Sequence, residues 1–362
     1  MRKLGVSIYP NNSSIEEDKK YLSLASKYGF SRIFTNLISV EEDKDRILRE
    51  FREIVSYGRD LGMEVIADVS PSVFRSLDIH YSDLRFFKDM NLTGIRLDLG
   101  FTGNEESIMS FNPYDLKIEI NMSSNTRYLE NIMTYLPNKD NIIGCHNFYP
   151  HRYTGLSRKH FMETSEVFKK YGIRTAAFVS SAKATFGPWT VNEGLPTLEE
   201  HRELPIEIQV KDLFNTGLID DVIIANCYAS EEELKIIGDM DKNILTLGVE
   251  LIEDLPKVER DIVLGEIHFN RGDVSEYVIR STQSRVKYKD HDFTLMNPKD
   301  IERGDVVIDS SLYEHYAGEL QIALKPMKNS GRTSVVGKVI DEEMFLLDYI
   351  KPWQKFRLKS SI

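Results

Sequence analysis

Along the first two thirds of the chain, short runs of β-branched and apolar residues alternate with longer stretches of helical period, the pattern of βα units that feed a parallel sheet. Eight such runs can be read: LGVSIYP from Leu4, RIFTNLIS from Arg32, EVIADVS from Glu64, GIRLDLG from Gly94, KIEINMS from Lys117, IIGCHNF from Ile142, RTAAFVS from Arg174 and DVIIANCY from Asp221. Eight units within roughly 240 residues predict an α/β fold, a (β/α)8 TIM barrel. The intervening stretches carry helix punctuation. Ser13 and Ser14 precede SIEEDKKYLSLASKYG, whose acidic first turn suits the helix dipole, and Gly29 can end it. A helix, then a glycine, then a strand recurs at Tyr57-Gly58, Leu61-Gly62, Tyr171-Gly172 and Thr216-Gly217. After the seventh strand comes SSAKATFGPWTVNEGLPTLEEHRELP, rich in Gly and Pro and carrying Trp189, which is the expected active-site lid.

Beyond residue 243 the pattern switches to short alternating strands: ILTLGVEL, IVLGEIHF, EYVIRST, DFTLM, DVVIDS, LQIALKP, SVVGKVI and FRLKS. They predict a small all-β barrel, so the chain divides into a catalytic barrel over 1–243 and a β-barrel domain over 244–362. The tetrapeptide RGDV precedes a strand at Arg271 and again at Arg303, and both copies read as a Gly-Asp turn.

In a (β/α)8 barrel the working residues stand at the C-terminal strand ends, so polar side chains facing inward there are the candidates. The period of two sorts them. In KIEINMS, Ile118 and Ile120 should face the helices, leaving Lys117, Glu119 and Asn121 inward; in GIRLDLG, Ile95, Leu97 and Leu99 go outward and Arg96 and Asp98 inward. EVIADVS sets Asp68 opposite Val65, Ala67 and Val69. Three carboxylates thus converge on neighbouring strands, and like charges so close cannot all ionise freely, so one should stay protonated towards neutral pH, as a general acid must. Glycoside hydrolysis uses such a pair, about 5 to 5.5 Å apart when the second carboxylate is a nucleophile and about 6.5 to 9.5 Å apart when it activates water. Adjacent strands lie about 4.8 Å apart, which suits the shorter spacing, so Asp98 and Glu119 are the expected catalytic pair, with Asp68 in reserve. The competing reading is an ion-pair network of Arg96, Asp98, Lys117 and Glu119 that only neutralises the barrel interior. His146, Asn147, Tyr149, His151 and Arg152 after the sixth strand, with Asn226 and Tyr228 on the eighth, complete a sugar-binding mouth.

Composition narrows the partners. The 362 residues carry a net charge of −11 and no Lys/Arg cluster with interleaved aromatics, which argues against nucleic acid. No stretch approaches the roughly 18 uninterrupted apolar residues of a membrane span. The N-terminal MRKLGVSIYPNNSS has too short an apolar run for a signal peptide, so a cytoplasmic location is expected. Cys145 and Cys227 lie far apart in apolar runs and read as core residues. The chain has no phosphate-binding P-loop, no dinucleotide glycine fingerprint, no zinc-protease helix motif and no serine nucleophile elbow, so no cofactor and no metal are expected. A metal-dependent sugar isomerase or epimerase built on Asp68, Asp98, Glu119 and His146 is the alternative enzyme, weakened by Arg96 and Lys117 beside those carboxylates. A surface glycan-binding module on a retired barrel is the non-enzymatic alternative, and a homo-oligomer is left open.

The stretches MRKLGVSIYP, VIADVSP, GIRLDLGF, KIEINMS, CHNFYPHRYTGLS and FGPWTVNEGLPTLEEHR, followed by the small β domain, resemble the bacterial 6-phospho-N-acetylmuramidases over nearly the whole chain. The resemblance implies an exo-acting hydrolase of cell-wall recycling. Its substrate would be N-acetylmuramic acid 6-phosphate β-1,4-linked to N-acetylglucosamine, an anionic phosphodisaccharide made when a phosphotransferase system imports the sugar. It also implies a cyclophilin-like C-terminal barrel, without implying isomerase activity. Phosphate and lactyl carboxylate both need positive partners, and Arg96, Lys117, Arg152, Lys183 and Arg271 are the candidates. Many retaining barrel glycosidases carry their nucleophile at the end of the seventh strand, but RTAAFVSS has no carboxylate there. The catalytic pair therefore rests on the inward-facing argument alone.

Overall fold

The structure is a computed structural model that describes residues 1–37 and 44–361. It divides into two compact units, Met1–Met240 and a second beginning at Asp241. In the first, eight parallel strands close into a barrel: β1 (Lys3–Ser7), β2 (Arg32–Leu37), β3 (Glu64–Val69), β4 (Gly94–Leu97), β5 (Lys117–Asn121), β6 (Ile142–Cys145), β7 (Arg174–Val179) and β8 (Asp221–Ile224), with β8 pairing back onto β1. All eight expected strands are present; Ile38 and Ser39, read as the end of the second, lie outside the described residues. Alternate side chains such as Val65, Ala67, Ile95, Ile118 and Ile120 point outward into a core shared with the surrounding helices.

Local chemistry sets the helix ends. Ser14 caps the helix Ile15–Lys27 and forms a capping box with Glu17, and Gly29 leaves that helix at φ +79°. Gly58 does not end a helix as its place before a second glycine suggested. It lies inside Lys44–Asp60, where a Cβ would stand 2.4 Å from Ile33 Cδ1, so it serves close helix-to-strand approach while Gly62 makes the turn.

The second unit is a seven-stranded mixed sheet. Its strands are β9 (Leu245–Leu251), β10 (His268–Phe269), β11 (Val278–Ser281), β12 (Asp305–Asp309), β13 (Leu320–Ala323), β14 (Thr333–Val339) and β15 (Lys355–Ser360), in the order β10-β15-β9-β14-β12-β13-β11. Only β9 and β15 run parallel. Two expected strands are otherwise. IVLG belongs to the helix Lys257–Gly265, which follows Pro256 and buries Ile262 and Val263, leaving only His268–Phe269 as strand. DFTLM is irregular, with Phe293 buried in the core. A run of three or four apolar residues fits either period, and in both places tertiary packing decides.

Candidate active site

Asn36, Asp68, Arg96 and Glu119 stand side by side in the register of β2, β3, β4 and β5, all on the inward face. Barrel strands are staggered, so such a row winds downward around the interior instead of circling the mouth. Asn36 and Asp68 are near the ends of their strands, whereas Glu119 is the third residue of β5 and fully buried. Its carboxylate accepts from Arg32, whose guanidinium also bonds Asp221 at 2.8 Å, with Arg174 closing the group on Asp221. Neighbouring strand spacing thus placed Glu119 beside Arg96 in register but a level below the mouth, as a structural counter-ion. The pairing of Asp98 with Glu119 is corrected on that ground.

The mouth is organised by Arg96. Its Nη1 donates to Asp68 Oδ1 at 3.0 Å and to Asp98 Oδ1 at 3.3 Å, and its Nη2 donates to Asn147 Oδ1. Asn121 Nδ2 adds a 3.3 Å bond to Asp98 Oδ1. The guanidinium is 4% exposed, the Asp68 side chain 27% and the Asp98 side chain 47%, so the two acids share one cation but meet solvent unequally. Burial pushes the Asp68 carboxyl up; Arg96 opposes that and the charge of Asp98 reinforces it. Tyr149 completes the polar arc, its pKa raised by burial. The other side of the interior is apolar, with Tyr9, Phe34, Cys145, Phe178, Ala225 and Cys227 in one cluster.

Several expected site residues lie elsewhere. Lys117 opens β5 at the far end of the barrel, where Nζ bonds Asp140 O at 2.9 Å and Asn141 Oδ1 at 2.8 Å. His146 points outward, its Nε2 2.8 Å from Ser165 Oγ on the helix Arg158–Lys170, and burial drives its pKa down to about 3. Asn226 is spent on the backbone of Ser181, through a 2.8 Å bond in each direction. Tyr228 donates to Asp18 at 2.7 Å. Arg152 is exposed and paired with Glu203. Lys183 is exposed, with no ion pair among the described residues. Arg271, in the second unit, pairs with Asp273 at 2.5 Å. Leu99, just past the end of β4, is 69% exposed and does not face the helices. Asn36 was missed, although the alternation of RIFTNL points it inward; its Oδ1 is buried without a partner beside Asp68.

The segment expected as a lid is mostly fastened down. Phe186 bridges to Cys227, and Leu195 and Leu198 are fully buried, while Lys183 and the stretch Trp189, Thr190 and Val191 are exposed. Glu199 accepts from Tyr153 N at 2.8 Å and Gly155 N at 2.7 Å, and pairs with Arg202. Arg202 in turn donates to the carbonyls of Tyr149, Gly194 and His151. These bonds clasp the loop after β6 to the loop after β7.

The acids and His146 named for a metal do not converge, since Glu119 lies a level below the mouth on Arg32 and His146 points outward. Among the described residues the one cluster with metal-type ligands is Glu200, His201 and Asp212. Arg158 already binds its Asp212 at 2.6 and 3.1 Å, so the cluster carries its own cation. No helix is long and apolar enough to cross a membrane.

Residues 4–239 match the N-terminal domain model of 6-phospho-N-acetylmuramidase, and residues 245–359 match the C-terminal one. The chain belongs to the 6-phospho-N-acetylmuramidase family. That family name is a glycosidase's. A crystal structure of an uncharacterized B. cereus protein shares 50% identity over 99% of both chains, with a TM-score of 0.92. A conserved Enterococcus faecalis protein of unknown function shares 22% identity over 99% of this chain and 96% of that one, at a TM-score of 0.71, and shows the fold alone. No curated protein matches the sequence.

Proposed function

We propose that the chain hydrolyses the β-1,4 bond between N-acetylmuramic acid 6-phosphate and N-acetylglucosamine, with Asp68 and Asp98 as the catalytic carboxyls. The observation that carries this is the pair of acids on one Arg96 nitrogen at the barrel mouth. Two hydrogen bonds of 3.0 and 3.3 Å to a common atom keep the bonded oxygens within about 6.3 Å of each other, short of the spacing of about 6.5 to 9.5 Å that leaves room for an activated water. Asp68, raised by burial, is the proton donor to the leaving O4. Asp98, more exposed, attacks C1 of the muramic ring to form a glycosyl-enzyme, and Asp68 then takes a proton from the water that releases it.

Arg96 holds both acids in place, while Asn121, Asn147 and Tyr149 offer bonds to ring hydroxyls and acetamido groups. Lys183, in the loop after β7, is the candidate partner for the phosphate. The reaction belongs in the cytoplasm, where a sugar phosphorylated on import would be met, as a step of peptidoglycan recycling. The test is incubation of the purified protein with the disaccharide in phosphorylated and unphosphorylated forms, followed by mass analysis and NMR of the first anomer released. Cleavage of the phosphorylated form alone, with the β anomer appearing first, is expected. Cleavage of neither removes the reading, and a first-formed α anomer removes the double displacement.

A further inference from the structure

In the second unit, β11, β13, β12 and β14 lie side by side, and alternation sends Ile279, Leu320, Ile322, Val306, Ile308 and Val336 into its main core. The opposite face carries Arg280, Gln321, Val307 and Val335 in one cross-strand row, with Asp309 opposite Thr333 farther along. This face floors a cavity of about 380 Å³, lined also by Tyr313, Tyr316, Met327 and Ile301.

The polar groups of the cavity are arranged for a neutral ligand rich in hydroxyls. Asp309 is 5% exposed, and its carboxylate accepts from Gln321 Nε2 at 2.9 Å and Thr333 Oγ1 at 2.8 Å. Both donors are neutral, and no cation stands within ion-pair distance among the described residues. Each carboxylate oxygen keeps lone pairs for a further donor. Gln321 Oε1 has no partner, so it too can accept. Arg280 spends Nε on Glu319 at 2.7 Å, which leaves its two terminal nitrogens to donate into the cavity. Its charge is met by Glu319, which also pairs with Arg285 at 2.9 Å.

We propose that this cavity is a carbohydrate-binding site that takes a neutral N-acetylated pyranose. A hydroxyl both donates and accepts, which suits acceptors at Asp309 and Gln321 set beside donors on Arg280. Tyr313 and Tyr316 meet edge to face, 6.5 Å apart; Arg332 covers one face of the first at 5.7 Å and Arg285 one face of the second at 5.5 Å, which leaves the opposite faces for the C–H face of a ring. Ile301, Val307 and Met327 supply an apolar wall for an acetamido methyl group. The volume lies in the range of about 300 to 1,000 Å³ found for small-molecule sites. Asp309 and Glu319 repel a phosphate, Arg280 and Arg285 repel an ammonium, and Lys328, which also lines the cavity, is matched by Asp300 at 2.6 Å. The proposal stands independently of the barrel's reaction.

The test uses the full chain and N-acetylglucosamine, with binding followed by saturation-transfer NMR and calorimetry in the parent, Tyr316→Ala and Gln321→Ala. Tyr316 is 47% exposed, so its truncation leaves folding intact even where the Gln321 variant fails to fold. A binding event that weakens at least about tenfold in Tyr316→Ala, with glycosidase activity unchanged, is expected. Burial raises the Asp309 carboxyl to about 6, so affinity should also grow from about pH 5 to about pH 7 as the acceptor ionises. No binding at about 10 mM sugar, or binding that Tyr316→Ala retains in full, overturns the proposal.

Discussion

Asp68 and Asp98 share a cation, and their difference in exposure separates them chemically. Asp98→Asn and Asp68→Asn should each lower kcat by roughly 10² to 10⁴ while leaving the melting temperature near that of the parent. Glu119→Gln should behave in the opposite way. It uncouples one of two carboxylates from a buried guanidinium, so stability should fall by about 3 kcal/mol in urea titration while the folded fraction keeps its turnover. The charge of Asp98 raises the Asp68 pKa, so Asp98→Asn should move the Asp68 titration to lower pH, read by carbon NMR of labelled carboxyls. The sign follows from the role: Asp68 must be protonated to act, so activity is lost as pH rises through its folded-state pKa. A titration that stays put in Asp98→Asn would remove the coupling between them.

At the scale of elements, the clasp made by Glu199 and Arg202 joins two loops that frame the mouth. Arg202→Ala removes several buried donors at once, and it should raise KM with a smaller effect on kcat, since the acids themselves stand on β3 and β4. Faster amide exchange at 149–155 should accompany it. Sequence alternation told inward from outward on β3, β4 and β5 because each pairs a polar face with a wholly apolar one. It could not tell height within the barrel, which depends on stagger between strands, and so it misjudged Glu119 and Lys117. It missed the inward turn of Ser181 onto Asn226 for a related reason: a buried amide bonded to backbone has the same letter as one that meets a ligand. Glycine and proline content suggested a lid, but the buried Leu195 and Leu198 and the clasp fasten that segment.

Across the whole molecule, the change from helical to alternating period near residue 243 made two architectures legible, and each unit has its own apolar core. Which residues form the mouth was legible in kind but not in membership. Arg96, Asp98, Asp68, Asn121, Asn147 and Tyr149 converge, whereas His146, Lys117 and Asn226 do not. The charged group of Arg32, Glu119 and Asp221 inside the barrel has a further consequence. A parallel barrel is closed by strands of similar length and composition, so slipped pairings compete with the correct one. A one-residue slip of β2 would turn Arg32 towards the helices and strand the buried Glu119 carboxylate, leaving Asp221 with Arg174 alone. The triad should therefore penalise slipped strand alignments during assembly. Replacing all three by Met and Leu should leave or raise the melting temperature, yet lower the yield of active protein on refolding from urea. A barrel interior made only of hydrocarbon would tolerate its own misalignments; this one should make them costly.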